Sequence, residues 1–248
     1  MLLAQLQSAR KSDQRDTGRT CSSPFVPQRL ADSRGVLPDL WPLYGLSVVT
    51  PRLELRLPRE EEIAEIAQVA GRGVHPPDER PFLTPWSDGS PADRARNVLQ
   101  AHWRDLAAWD VASWALNRGV FLAGQPIGLV GLRARDFPVV REVTSGSWLG
   151  LPHQGHGYGT EARTGLLALA FDQLGATAAL TEVFQDNHAS QGVSRKLGYR
   201  HDGIRVDARN GEALISDRLR LTVEAWREST QPTVTVTGMA PCRASFGL

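Results

Sequence analysis

Residues Gln154-Gly155-His156-Gly157-Tyr158-Gly159-Thr160 alternate glycine with polar and aromatic side chains at a junction between two kinds of patterning. The preceding run, Ser147-Trp148-Leu149-Gly150-Leu151, is strand-like and stops at Pro152, which has no N–H for a sheet ladder. From Thr160 on, Leu166, Leu167, Ala170, Phe171 and Leu174 recur with helical spacing, so the glycines open a helix. Unpaired N–H groups and the positive end of the helix dipole point out of such a terminus, and glycine lets the main chain approach an anion with no Cβ between them. The chemistry this predicts is the cradling of a pyrophosphate by main-chain amides.

Two other readings share these residues. A glycine-rich turn with no ligand is the plainer one. A dinucleotide site is the sharper one: Gly155 and Gly157 match the first two glycines of G-x-G-x-x-G, and Glu182 stands where its acidic residue belongs. The third glycine position is Thr160, however, and no second long βα repeat follows Glu182.

After the helix come a β-branched and apolar run, Ala178–Phe184, then Asp186-Asn187-His188-Ala189-Ser190, a short helical stretch, and Lys196-Leu197-Gly198-Tyr199. Here the chain resembles a known family. Gln154-x-x-Gly157-x-Gly159 is similar to the Gln/Arg-x-x-Gly-x-Gly/Ala loop of GNAT-type N-acetyltransferases, and Asn187-x-x-Ser190 with Lys196-Leu197-Gly198-Tyr199 resembles their second cofactor motif. The resemblance spans about Ser47 to Arg227, is strongest from Gly146 to Gly203, and is nearest to the branch that acetylates the N-termini of ribosomal proteins.

That resemblance implies an α/β (α+β) fold in which two parallel strands splay apart and admit the pantetheine arm of acetyl-CoA, the co-substrate. Trp148, Leu149 and Leu151 would line the edge of the gap, with an N–H near Leu149 or Gly150 polarising the thioester carbonyl. Gln154, Gly155, His156, Gly157, Tyr158, Gly159 and Thr160 would hold the pyrophosphate. Ser190 would protonate the departing sulfur, and Asn187 would contact the pantetheine arm or a relay water; the same pair could instead cap the helix that begins there. For the general base Glu142 is the first candidate, because the branch's glutamate position falls on Thr144 and Glu142 faces the same side. Glu142 could equally form a surface salt bridge. A second carboxylate of some relatives falls on Arg209, with Asp207 and Glu212 nearby. The reaction implied is direct attack of a primary amine, a protein N-terminal α-amine or a small-molecule amine, on the thioester in a ternary complex. A protein α-amine, with a pKa near ~8, asks less of the enzyme than a lysine near ~10.4.

His75 to Phe82, with Trp86, forms a proline-stiffened loop between two helices. It reads either as a packed surface loop or, by resemblance, as a wall of the acceptor pocket built from His75, Phe82 and Trp86. No second ligand stands at metal spacing from His75, and His153 and His156 suit phosphate or solvent, so no metal is implied. A catalytically silent CoA-binding sensor and a dinucleotide-dependent oxidoreductase are the alternatives to the acetyltransferase.

With 248 residues, 41% hydrophobic and 22% charged, the chain can bury one sizeable core. A net charge of +1 asks for neither a nucleic-acid nor a membrane partner, and Gly165–Leu174 is too short to span a bilayer. Nothing indicates an oligomer. Cys21 and Cys242 lie outside the patterned region, which supports neither a disulfide framework nor a zinc site and fits a reducing cytoplasm. Residues 1–45 read as a disordered N-terminal extension whose Pro38–Leu46 portion offers Trp41 and Tyr44 for docking. Residues 46–228 read as the N-acetyltransferase domain, and 229–248 as an irregular C-terminal tail.

The elements that must position the glycines follow from local patterning. Leu53, Leu55 and Leu57 alternate with charges and mark a strand; Ile63, Ile66, Ala67 and Ala70 mark a helix opened by glutamates. Ser90, Pro91 and Asp93 form a capping box for a helix to about Ala108, with Val98, Leu99, Trp103 and Leu106 as its apolar face. Hairpins are expected around Ala123-Gly124 and Asn210-Gly211. The predicted fold is a mixed, mostly antiparallel central sheet with helices on both faces and one right-handed parallel strand-helix-strand unit, Gly146–Phe184.

Overall fold

The computed structural model describes residues 36–209 and 211–248. Nine strands form one sheet: β1 (Ser47–Val49), β2 (Leu53–Arg56), β3 (Ser113–Leu122), β4 (Gln125–Arg135), β5 (Glu142–Leu149), β6 (Ala178–Phe184), β7 (Arg200–Arg209), β8 (Glu212–Thr222) and β9 (Thr235–Thr237). Their spatial order is β7-β8-β6-β5-β4-β3-β2-β1-β9. Every neighbouring pair is antiparallel except β5 and β6. The predicted fold class is therefore present. A dinucleotide fold, built from repeated parallel units, is a different architecture.

The helices are α1 (Val36–Leu40), α2 (Glu60–Arg72), α3 (Pro91–Ala107), α4 (Phe137–Val140), α5 (Tyr158–Ala168), α6 (His188–Lys196), α7 (Val223–Glu228) and α8 (Met239–Cys242). Local chemistry accounts for the ends of the site-bearing ones. The Ser90 hydroxyl accepts from the Asp93 N–H at 3.2 Å while an Asp93 carboxylate oxygen accepts from the Ser90 N–H at 3.1 Å, completing the capping box of α3. α3 buries Val98 and His102, with Leu106 half-buried on the same line, whereas Trp103 is exposed. Positions four apart share a face, and Trp103 falls one helical step off that line. α5 is buried along most of its length and widens into a π-helical turn at Leu169–Leu174.

The main core joins α5 to the sheet through Leu166, Leu167, Leu55, Val48 and Leu149. On the opposite face α2 and α3 bury Ile63, Ile66, Ala67 and Val98 against Trp86, Phe82 and Trp148.

At the flanks, Trp41 and Tyr44 pack against the core, as the Pro38–Leu46 portion was expected to allow, while the short elements there were not expected. Residues 1–35 lie outside the described residues, but 36–45 hold α1 and a 3₁₀ turn that buries Leu43. At the other end β9 pairs with β1, and Phe246, fully buried, packs 5.1 Å from Trp114 and 5.5 Å from Trp109 between ring centroids. The tail has no periodicity because each of its short pieces contributes only one or two core side chains, and only partners distant in sequence make those side chains a core.

Candidate active site

The parallel pairing of β5 with β6 covers only Glu142↔Ala178, Val143↔Ala179 and Thr144↔Leu180. Beyond it, β5 keeps its ladder with β4 as far as Leu149, and β6 keeps its ladder with β8 as far as Phe184. The two strands therefore fork, leaving one edge of each unpaired. The Gly150 N–H donates to Ile127 O at 3.0 Å. Strand alternation then turns the N–H groups of Ser147 and Leu149 away from β4 and into the gap. Of the two donors suggested by the sequence, Gly150 is already engaged and Leu149 faces the opening.

At the wide end of the fork the chain makes a 3₁₀ turn, Leu151–His153, and then enters α5 with Gly157 as N-cap at φ 83°. That left-handed conformation is the reason for glycine at this position. Glu161 N donates to Gly157 O, the first helical bond. Among the described residues none accepts from the backbone N–H groups of residues 155–160. A Cβ built on Gly155 meets nothing within 4 Å. The corner is thus an open set of main-chain donors at the positive end of a helix, the arrangement that suits a diphosphate.

Gln154 acts from beneath. Its Nε2 donates to Val74 O and to Leu149 O, each at 2.8 Å, so its amide ties the corner to β5 and to the end of α2. Leu151 packs toward Gly73 and donates its N–H to Gly73 O at 3.1 Å, beyond the strand edge it was expected to line.

Arg52, more than a hundred residues away in sequence, completes the rim. Its guanidinium lies 4.5 Å from the Tyr158 ring centroid, pairs with Glu161 at 2.6 Å and donates to His156 O at 3.2 Å. The Glu161 carboxylate also accepts from Thr50 Oγ1 at 2.7 Å. Burial pushes its pKa up, but the hydrogen bonds from Thr50 and Arg52 outweigh that and hold it below the usual carboxylate value. No local motif marked Arg52; only the β1–β2 turn brings it to α5.

Asn187 is the N-cap of α6, and its Oδ1 accepts from Ser190 N at 3.0 Å. Capping by Asn187 is realised. The Ser190 hydroxyl is half-buried and has no partner among the described residues.

Glu142 is not brought to this place. It stands at the closed end of the parallel pair, about 20 Å along β5 from Trp148, and accepts from Arg220 Nη1 at 2.5 Å. The salt bridge weighed for Glu142 in the sequence is present. Arg209 is likewise structural: it donates to Phe82 O at 2.7 Å and to Asp88 at 2.9 Å, clamping the loop before α3. Among the described residues Glu182 is a carboxylate that stands beside the fork. Thr144, Gly146 and Trp148 share one face of β5; Leu180, opposite Thr144, shares it, and so does Glu182 two residues on. Its carboxylate meets Arg205 at 3.2 Å. The sequence alone offers Glu182 only as a dinucleotide ligand.

The same face carries the aromatic loop. Trp148 and Trp86 lie 5.4 Å apart, Trp86 and Phe82 4.8 Å, and Phe82 and His75 6.0 Å, all centroid to centroid. His75 Nδ1 is 2.7 Å from Pro76 O, which can only accept, so Nδ1 carries a proton, and Nε2 lies 2.9 Å from Ser87 Oγ. The structure therefore brings His75, Phe82, Trp86 and Trp148 together beside the fork, on the side opposite α5.

Residues 52–200 match the family model described as acetyltransferase (GNAT) domain. Among solved structures, a candidate ribosomal-protein-serine acetyltransferase from Vibrio cholerae superposes with a TM-score of 0.56 at 22% identity, over 71% of this chain and 97% of that one. RimL, the ribosomal L7/L12 alpha-N-protein acetyltransferase in complex with coenzyme A, gives 0.55 at 18% identity over 71% and 97%. Mycobacterium smegmatis RimJ in complex with CoA-disulfide gives 0.59 at 16% identity over 80% and 92%. At these identities the likeness is one of fold.

Proposed function

Given that the chain belongs to the GNAT acetyltransferase family, we propose that it transfers an acetyl group from acetyl-CoA to a primary amine, with a protein N-terminal α-amine as the leading acceptor. The observation that carries this reading is the open corner at residues 155–160, set at the mouth of a forked parallel pair. The main-chain amides of the corner would hold the diphosphate, with Arg52 adding charge at its rim. The N–H groups of Ser147 and Leu149 would pair with the pantetheine arm and polarise the thioester carbonyl where negative charge develops.

The acceptor would approach over the face bearing Trp148, Trp86 and Phe82. Glu182, in place of Glu142, would take the proton of the attacking amine directly or through one water. The unengaged Ser190 hydroxyl would return a proton to sulfur. An α-amine is partly neutral at pH 7, so the base has a modest task.

The test is a thermal-shift titration with acetyl-CoA, followed by thiol release across peptide N-termini, polyamines and aminosugars. Acetyl-CoA is expected to raise Tm. Gly157→Glu, which places an anion in the corner, is expected to abolish the shift, with Gly157→Ala as the control for backbone strain at positive φ. Absence of any shift with the wild type would overturn the reading.

A further inference from the structure

Beneath the fork, on the α5 face, lies a charge that the proposed reaction has not used. Arg163 is only 2% exposed, and no carboxylate among the described residues pairs with it. Its Nη2 donates to Ser145 Oγ at 2.8 Å, its Nη1 lies 3.5 Å from Ser194 Oγ, and its Nε–H is buried without a partner. The guanidinium carbon is 5.4 Å from the Tyr199 ring centroid, and Tyr199 Oη is 2.8 Å from Ser145 Oγ. Burying a cation among hydroxyls with no acid is costly, and a leucine or methionine would fill the same interface without that penalty.

The location gives the charge a use. Ser145 is the first residue of β5 past the last parallel pair, and Ser194 lies one turn after Ser190 on the same face of α6. Arg163 therefore sits between the root of the fork and the helix face that carries the unengaged Ser190 hydroxyl. Leu149 and Ser145 are about 13 Å apart along the strand, so an arm anchored at the corner and running back along β5 carries its sulfur toward this end.

We propose that Arg163 is a positioning residue for the leaving group: its unneutralised charge lowers the proton affinity of the coenzyme A thiol. The proposal rests on the acetyl-CoA reading above. In the transfer an N–C bond forms between amine and thioester carbonyl, the C–S bond breaks with its electron pair on sulfur, and the proton shed by the amine ends on sulfur. A cation below the gap favours the state in which that pair resides on sulfur, and a thiol of lower pKa departs faster.

The experiment compares calorimetric affinities of the full chain for coenzyme A and for desulfo-coenzyme A from about pH 6 to about pH 9, bracketing a free thiol near ~8.5. In the wild type the ratio of the two affinities is expected to rise with pH between the bound and free thiol pKa and then level off. Arg163→Gln is expected to remove about tenfold of that ratio at the plateau, and Arg163→Lys to retain most of it. A folded Arg163→Gln protein with the wild-type ratio would overturn the inference while leaving the cofactor reading intact. Should Arg163→Gln fail to fold, the wild type alone decides: bound thiolate absorbance titrating at or above the free value refutes the proposal. Binding of neither ligand by the wild type retires the cofactor reading and this inference with it.

Discussion

Gln154 gives the sharpest test of how the corner is built, because its amide makes two bonds to main-chain carbonyls and none to the open donors. Gln154→Ala removes both. A neutral hydrogen bond of this kind contributes about 1 kcal/mol net, so the pair contributes about 2 kcal/mol. For a domain of this size each kcal/mol shifts Tm by about 2–4 °C, which gives a fall of about 4–8 °C without any ligand present. Gln154→Glu should fall further at neutral pH, since a carboxylate then faces the carbonyl oxygens of Val74 and Leu149 at hydrogen-bond distance. Differential scanning fluorimetry on the ligand-free protein reads both shifts, and a coenzyme A titration on the same samples reads the secondary loss of affinity. An unchanged ligand-free Tm in Gln154→Ala, together with weakened coenzyme A binding, would refute this reasoning and make Gln154 a direct ligand.

Two further outcomes follow from the geometry. Glu182→Gln should lower turnover by about 10²–10⁴-fold in a thiol-release assay, whereas Glu142→Gln should leave turnover near wild type and change stability by no more than about 1 kcal/mol, as for a half-exposed ion pair; the reverse result would restore Glu142 as the base. Phe246→Ala should cost about 3–5 kcal/mol in urea unfolding, because the ring is enclosed by Trp109 and Trp114; an unchanged midpoint would place the C-terminal segment outside the core.

Much of the architecture was legible because its signals act over a few residues. The leucine alternation at Leu53, Leu55 and Leu57, the Ser90–Asp93 box and the Ala123-Gly124 turn depend on neighbours at most a helical turn away, and each element formed where the pattern placed it. The helix after the glycines was equally readable from its apolar period, although the structure starts it at Tyr158, two residues before the Thr160 expected, with Gly157 as its left-handed N-cap. Counting residues along a strand does not locate the carboxylates relative to the fork. Glu142 and Glu182 both lie on strands of the parallel pair, and only the register, with pairing ending at Thr144↔Leu180, decides which stands at the closed end and which at the opening.

Chain chemistry alone thus marked the central strands and helices, their class of sheet and the glycine-rich turn into α5, since dihedral preference, capping and periodicity are properties of short segments. The packed fold decided the rest: that Arg52 meets Tyr158, that Arg163 lies buried without an acid, that Phe246 belongs to the core, and that Glu182 stands beside the fork. Those outcomes are set by contacts between residues tens to more than a hundred positions apart, and burial, charge pairing and strand register exist only once such residues are brought together.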